Sequence, residues 1–223
     1  MPSRYPIPAQ ETRVEIRVSN SRFIATVAPV FSVEEARAFI SKVKEEFSDA
    51  SHNVPAFLVG YGPSVTAHCS DDGEPSGTAG RPALAVLQGS GLGDIAVVIT
   101  RYFGGTKLGT GGLVRAYGDA VKEVLETLPL AEKVPTHTVL MAVPYNLFEQ
   151  VKLLIEVHNG RVLDEEFAAD VTITAQFTVE QFDPFQDALR ELSHGRLEAE
   201  IVETNPETIM PLGSFPPPDD PPS

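Results

Sequence analysis

Residues 71–118 read DDGEPSGTAGRPALAVLQGSGLGDIAVVITRYFGGTKLGTGGLVRAYG and carry twelve of the chain's seventeen glycines, together with Arg81, Arg101, Lys107 and Arg115. Glycine is disfavoured inside helices and strands, so this density marks several points where the backbone takes positive φ or approaches a partner closely. The continuous apolar run at 95–99 reads as a central strand covered on both faces. Before it, 77–88 reads as a helix, with Gly80 and Pro82 placed early, where a first turn tolerates proline. After it, Leu113, Val114, Tyr117, Val121, Val124 and Leu125 recur at helical spacing over 111–128.

Outward from this stretch, 13–16 and 23–30 read as strands joined around Ser19-Asn20-Ser21. Ser32 and Glu35 form a capping box for a helix on Val33, Ala36, Ile40, Val43 and Phe47. Strands are expected at 56–61 and 65–69. After Pro129 the pattern restarts with a strand at 138–143, a helix capped by Asn146 and ending at Asn159-Gly160, and a hairpin of 162–167 with 171–177. A helix opened by Asp183-Pro184 and a strand at 197–202 complete the order βαββαβ, which is the ferredoxin-like signature. The expected fold class is α+β in two domains, an α/β sandwich at 13–130 and a ferredoxin-like domain at 134–203. Residues 1–12 read as a flexible arm, and 204–223, with seven prolines, as a disordered tail.

A length of 223 residues fits two domains and a tail. No apolar run approaches the ~20 residues that span a bilayer, and no basic-then-apolar leader opens the sequence. No membrane association is therefore expected. Cys69 is the only cysteine, which excludes an intramolecular disulfide and a thiolate zinc cage and points to a reducing cytoplasm. The net charge of −14 is unevenly spread: residues 1–133 hold 13 Lys and Arg against 15 Asp and Glu, net −2, whereas 134–223 hold 4 against 16, net −12. Only the first part can offer a basic face to nucleic acid; the second repels phosphate.

Three constellations could carry chemistry. A glycine-rich link between strand and helix, here Gly104, Gly105, Lys107, Gly109, Gly111 and Gly112, exposes backbone N–H groups beside a positive helix end, and Arg115 adds charge; such geometry holds phosphate or carboxylate. Its spacing matches neither a P-loop nor the dinucleotide fingerprint, since no Gly-Lys-Ser/Thr is present and Val114 stands where the fingerprint needs glycine or alanine. Asp71, Asp72 and Glu74 form an acidic turn, read either as a Mg²⁺ site or as a structural turn that pairs with Arg81 or Arg101 and places negative charge before a helix. Adjacent strand residues point to opposite faces, so His68 is badly placed to activate Cys69. No metal or cofactor is expected.

The stretch DDGEPSGTAGRPALAVL followed by VVITRYFGGTKLGTGGLVRAYGDAV closely resembles the IMPACT family in its bacterial, YigZ-like branch. The resemblance extends more loosely to residues 21–25 and to His52-Asn53; Val54 stands where family members often carry cysteine. It implies a first domain with the fold of the second domain of ribosomal protein S5 and a second domain similar to the ferredoxin-like domains of translocation factors. Eukaryotic relatives regulate translation, so the resemblance implies an RNA, ribosome or translation-associated protein partner. The expected function is non-catalytic binding through Arg81, Arg101, Lys107, Arg115 and the glycines of 104–112. The alternative is an enzyme or sensor holding a phosphate or carboxylate ligand on that loop, and a third reading makes the motif a homo-oligomer interface.

Overall fold

The computed structural model describes residues 5–211. Its first strand, β1 (Pro6–Pro8), lies inside the stretch expected as an arm. It pairs antiparallel with residues 130–132, accepts from the Gly93 N–H at 3.1 Å and buries Ile7 completely. Those partners are far away in sequence, so no local pattern marks the strand.

β2 (Thr12–Val18) and β3 (Ser21–Pro29) make a hairpin closed by Ser19 and Asn20 at φ 46° and 67°, as a two-residue turn of matching twist requires. In α1 (Val33–Glu46) the Ser32 hydroxyl accepts from the Glu35 N–H at 3.0 Å, while the Glu35 carboxylate accepts from the Phe31 N–H at 2.8 Å. The capping box therefore closes one residue further out than its usual form.

β4 (His52–Val59) begins before the expected 56 and runs through Pro55. Proline suits this position because its nitrogen faces β5 (Thr66–Cys69) at the end of that ladder, where the Pro55 carbonyl still accepts from the Ser70 N–H at 3.1 Å. A 3-10 turn at Gly62–Ser64 separates the two strands. α2 (Gly80–Gly89), β6 (Ile95–Tyr102) and α3 (Gly109–Thr127) follow.

The sheet order is β2-β3-β6-β4-β5, with every neighbour antiparallel. Along β6 the side chains alternate: Ile95, Val97 and Ile99 pack with Ala83 and Leu87 of α2 and Tyr117 and Val121 of α3, whereas Ala96 and Val98 pack with Phe39 and Val43 of α1. The run at 95–99 is apolar throughout because both faces are covered.

The chain divides between Glu132 and Lys133. β7 (Leu130–Val143) starts well before the expected 138, since β1 pairs with its first residues. α4 (Phe148–Val157), β8 (Arg161–Phe167), β9 (Val171–Thr178), α5 (Val179–Ser193) and β10 (Glu200–Pro211) complete the second unit. β9 lies between β7 and β8, and β10 also pairs with β7. One core of Val139, Met141, Ile155, Ile173, Phe177, Phe185 and Leu189 joins strands to both helices. The fold is α+β in two domains, the second ferredoxin-like.

Three local readings need correction. Asn146 does not cap α4: its N-cap is Leu147, with no side-chain bond. α5 opens at Val179 rather than at Asp183-Pro184, because the Thr178 hydroxyl accepts from the Gln181 N–H at 3.3 Å, leaving Pro184 inside the helix. The last strand, expected at 197–202, is β10 at Glu200–Pro211, and its extension past the expected domain end at 203 is held by a 2.6 Å hydrogen bond between the hydroxyls of Thr136 and Thr208 and by burial of Met210. The rest of the expected tail, 212–223, and residues 1–4 of the arm lie outside the described residues.

Candidate functional site: a glycine-rich loop over a buried ion pair

The loop from β6 to α3 is pinned at its start and open at its end. The Phe103 N–H donates to the Ser51 hydroxyl at 3.0 Å, and the Gly104 N–H to the Ser21 hydroxyl at 3.2 Å. Gly104 lies so close to the first hairpin turn that a Cβ would stand 2.1 Å from the Asn20 carbonyl carbon. Gly105 and Gly109 take φ of 84° and 71°. At Gly111, by contrast, a Cβ would meet nothing within 4 Å. Gly105, Lys107, Gly109, Gly111 and Arg115 are exposed, and Gly112 is half-buried.

No side chain caps α3, whose N-cap is Leu108, and no acidic residue stands in its first turn. Its first N–H groups thus face the loop with the positive end of the helix dipole behind them. Among the described residues, no carboxylate lies within ion-pair distance of Arg81, Lys107 or Arg115. Arg115 does donate from Nε to the Gly111 carbonyl at 3.4 Å.

α2 is finished differently. The Asp71 carboxylate accepts from the N–H groups of Gly77 at 2.8 Å, Ala79 at 3.1 Å and Gly80 at 2.9 Å. Burial opposes its charge, but these three N–H groups and Arg81 outweigh burial and hold the carboxyl below the usual aspartate value. The sequence thus supplies its own anion to one helix end and none to the other.

The other two carboxylates of the acidic turn point into the fold. Asp72 accepts from Lys44 Nζ at 2.5 Å and from the Asn53 N–H at 2.6 Å, and its carbonyl lies 2.8 Å from His52 Nδ1. Glu74, with a side chain 4% exposed, accepts from Arg101 Nη1 at 2.5 Å and from the Tyr117 hydroxyl at 2.8 Å, with His52 Nε2 at 3.8 Å. Among the described residues, no group of three or more His, Cys, Asp or Glu side chains could hold a metal ion.

Arg101 therefore departs from the expected exposed set. Its side chain is 6% exposed and lies between the rings of Phe23 and Phe103, at 5.4 and 5.5 Å from their centroids. Burial, then the bond to Glu74, pushes the Tyr117 hydroxyl far above its usual range, so it remains a hydrogen-bond donor. A buried arginine-carboxylate pair with a third donor is costly to break from either side and fixes the relative positions of β6, α3 and the acidic turn.

Tyr117 and His52 are members of this cluster that the sequence did not single out together. The signal was one of register: His52 and Phe23 stand opposite Arg101 on the two strands flanking β6. His68 and Cys69 part company as adjacent strand residues do: the His68 ring lies 5.4 Å from Phe57 on the α1 side, while Cys69 packs against the core under α2 and α3. Burial, then the Asp71 carboxylate, raises the Cys69 thiol above its usual value, which disfavours a thiolate. No helix among the described residues is long and apolar enough to cross a membrane.

Residues 19–125 match the Impact N-terminal domain, and 141–196 match a domain of unknown function, DUF1949. An IMPACT family member of Haemophilus influenzae is 37% identical over 202 residues, covering 90% of this chain and 98% of that one. The IMPACT family member YigZ of Escherichia coli is 36% identical over 198 residues, covering 88% and 97%. A crystal structure described as that of a hypothetical protein superposes with a TM-score of 0.58 at 34% identity, covering 91% of this chain and 99% of that one. The motif of loop, acidic turn and buried pair lies wholly within the matched N-terminal domain, the relatives are matched over nearly their full length, and the chain belongs to the IMPACT family.

Proposed function

We propose that this protein is a non-catalytic binding protein in the regulation of translation, recognising RNA or a ribosome-associated partner through the loop between β6 and α3. The observation that carries this reading is the contrast between two helix ends. Asp71 fills the first with an internal carboxylate, whereas the end of α3 is exposed, uncapped and flanked by Lys107 and Arg115, neither of which has a carboxylate within ion-pair distance among the described residues. Helix ends of this kind favour anions, and two cations beside one suit a phosphate backbone. The link to translation rests on the resemblance to eukaryotic IMPACT proteins. Arg101 and Glu74 serve as the support beneath the loop, and Arg81, Lys107 and Arg115 are the contacting cations.

Binding of single-stranded RNA or of ribosomes should weaken steeply with salt, by roughly 0.7 in the log-log slope per phosphate neutralised. Lys107→Ala combined with Arg115→Ala should lower both the affinity and that slope. No association at low salt, with the double variant matching the parent protein, would sink the proposal. A second reading uses the same helix end for a small phosphorylated or carboxylate ligand, as an enzyme or sensor. It predicts about 2.7 kcal/mol of stabilisation at a ligand concentration of 100 times its dissociation constant, measurable by thermal shift across nucleotides and sugar phosphates.

A further inference from the structure

A different face of the first unit carries a cleft that the loop does not use. It lies between α1 and β5, has a volume of about 600 Å³, and is floored by Val33, Ile40 and Phe57. Its rim is Arg37 on α1 and Thr66 and His68 on β5, with Lys44 at one end. Among the described residues, no carboxylate lines it. Lys44 is paired with Asp72, but Arg37 is exposed and, among the described residues, has no carboxylate within ion-pair distance. The size, the apolar floor and the polar rim are those of a recognition site.

β5 is the last strand of its sheet. The Ser70 N–H donates to the Pro55 carbonyl, and Ser70 continues the register in which Cys69 stands opposite Ala56. Antiparallel pairs alternate between hydrogen-bonded and non-hydrogen-bonded. The N–H and C=O groups of Ala67 and Cys69 therefore point away from β4, toward the open edge, and neither has a backbone partner outside the sheet among the described residues. An unpaired edge beside a helix-walled apolar cleft is the arrangement in which an extended peptide adds as a further strand while alternate side chains enter the cleft.

We propose that an extended acidic segment of a partner protein adds to β5 and lies in the cleft against α1. The open backbone edge and the Phe57 floor favour a peptide over a nucleic acid, which has neither a strand ladder to offer nor aliphatic side chains to bury. The exposed Arg37 guanidinium selects negative charge. This surface is independent of the loop between β6 and α3, and the two can be tested separately.

The test uses the full chain to select from a phage-displayed library of random twelve-residue peptides. The expected result is enrichment of sequences combining Asp or Glu with an apolar residue. Their synthetic forms should shift the amide resonances of Ala67 and Cys69 and bind Arg37→Glu about tenfold more weakly, through loss of an ion pair and added repulsion. Ala67→Pro removes a donor from the open edge without touching the bonds to β4, and should weaken the same peptides while leaving the melting temperature within a few degrees of the parent protein. Selected peptides without acidic bias, or peptides bound equally by both variants, would overturn the proposal. So would polyuridine that competes at Arg37, which assigns the cleft to nucleic acid, or a concentration-dependent dimer abolished by Ala67→Pro, which assigns the edge to a second copy of the chain.

Discussion

Gly104 and Gly111 belong to one junction and should respond in opposite ways to the same substitution. A methyl group on Gly104 would stand 2.1 Å from the Asn20 carbonyl carbon, so Gly104→Ala must move backbone and should cost at least about 2 kcal/mol in urea denaturation. Gly111 has open space around its Cβ position and sits in the first turn of α3, so Gly111→Ala should leave stability unchanged or raise it by up to about 1 kcal/mol. Any loss of RNA binding in that variant would then report on the contact surface rather than the fold. Glu74→Ala should be severe, at about 3–5 kcal/mol, because it leaves the Arg101 guanidinium buried and uncompensated. Asp71 gives a pH signature. Its carboxyl is held below the usual aspartate value, so its contribution is complete above the unfolded-state value of about 4 and is lost as pH falls through the lower native value. Asp71→Asn should therefore lower stability at neutral pH and flatten its decline on acidification, read from urea midpoints across the acid range.

At the level of elements, strong local patterns mark some helices and strands, whereas strands made by distant pairing leave no local signal. α1 announced itself through Ser32, Glu35 and an apolar stripe, and β6 through an unbroken apolar run. β1, the first half of β7 and the second half of β10 gave no such signal, because Pro6, Pro135 and Pro206 look like breakers until a partner strand is known. The end of β10 makes this testable. Ending the chain after Glu203 removes Thr208, which bonds Thr136, and Met210, which is 4% exposed. Loss of Met210 alone should cost about 2–5 kcal/mol, and the shortened chain should show a lower melting transition than the full one. α5 carries the reverse lesson. Asp183-Pro184 marks a start by the usual proline rule, but the structure begins the helix at Val179 and keeps Pro184 inside it, since a proline can sit within a helix at some cost.

Over the whole molecule, each unit has its own apolar core. Phe177 is fully buried in the second and stacks on Phe185 at a centroid distance of 4.2 Å, so Phe177→Ala should cost that unit about 3–5 kcal/mol. In hydrogen exchange, amides of β9 should lose protection while those of β6 keep it; equal loss in both would show that the two cores unfold together. The charge split along the chain, the count and type of most elements, and the family motif followed from the sequence alone, because composition and periodicity are local properties. The acidic turn and the glycine-rich loop were also visible there as a group of unusual residues. Tertiary structure decided their roles. It turned Glu74 and Arg101 inward onto Tyr117, gave Asp71 to the end of α2, and left Lys107, Arg115 and the end of α3 in solvent. Burial and pairing are set by what the rest of the chain brings to each side chain, and no spacing along residues 71–118 encodes which of its charges will find a partner inside.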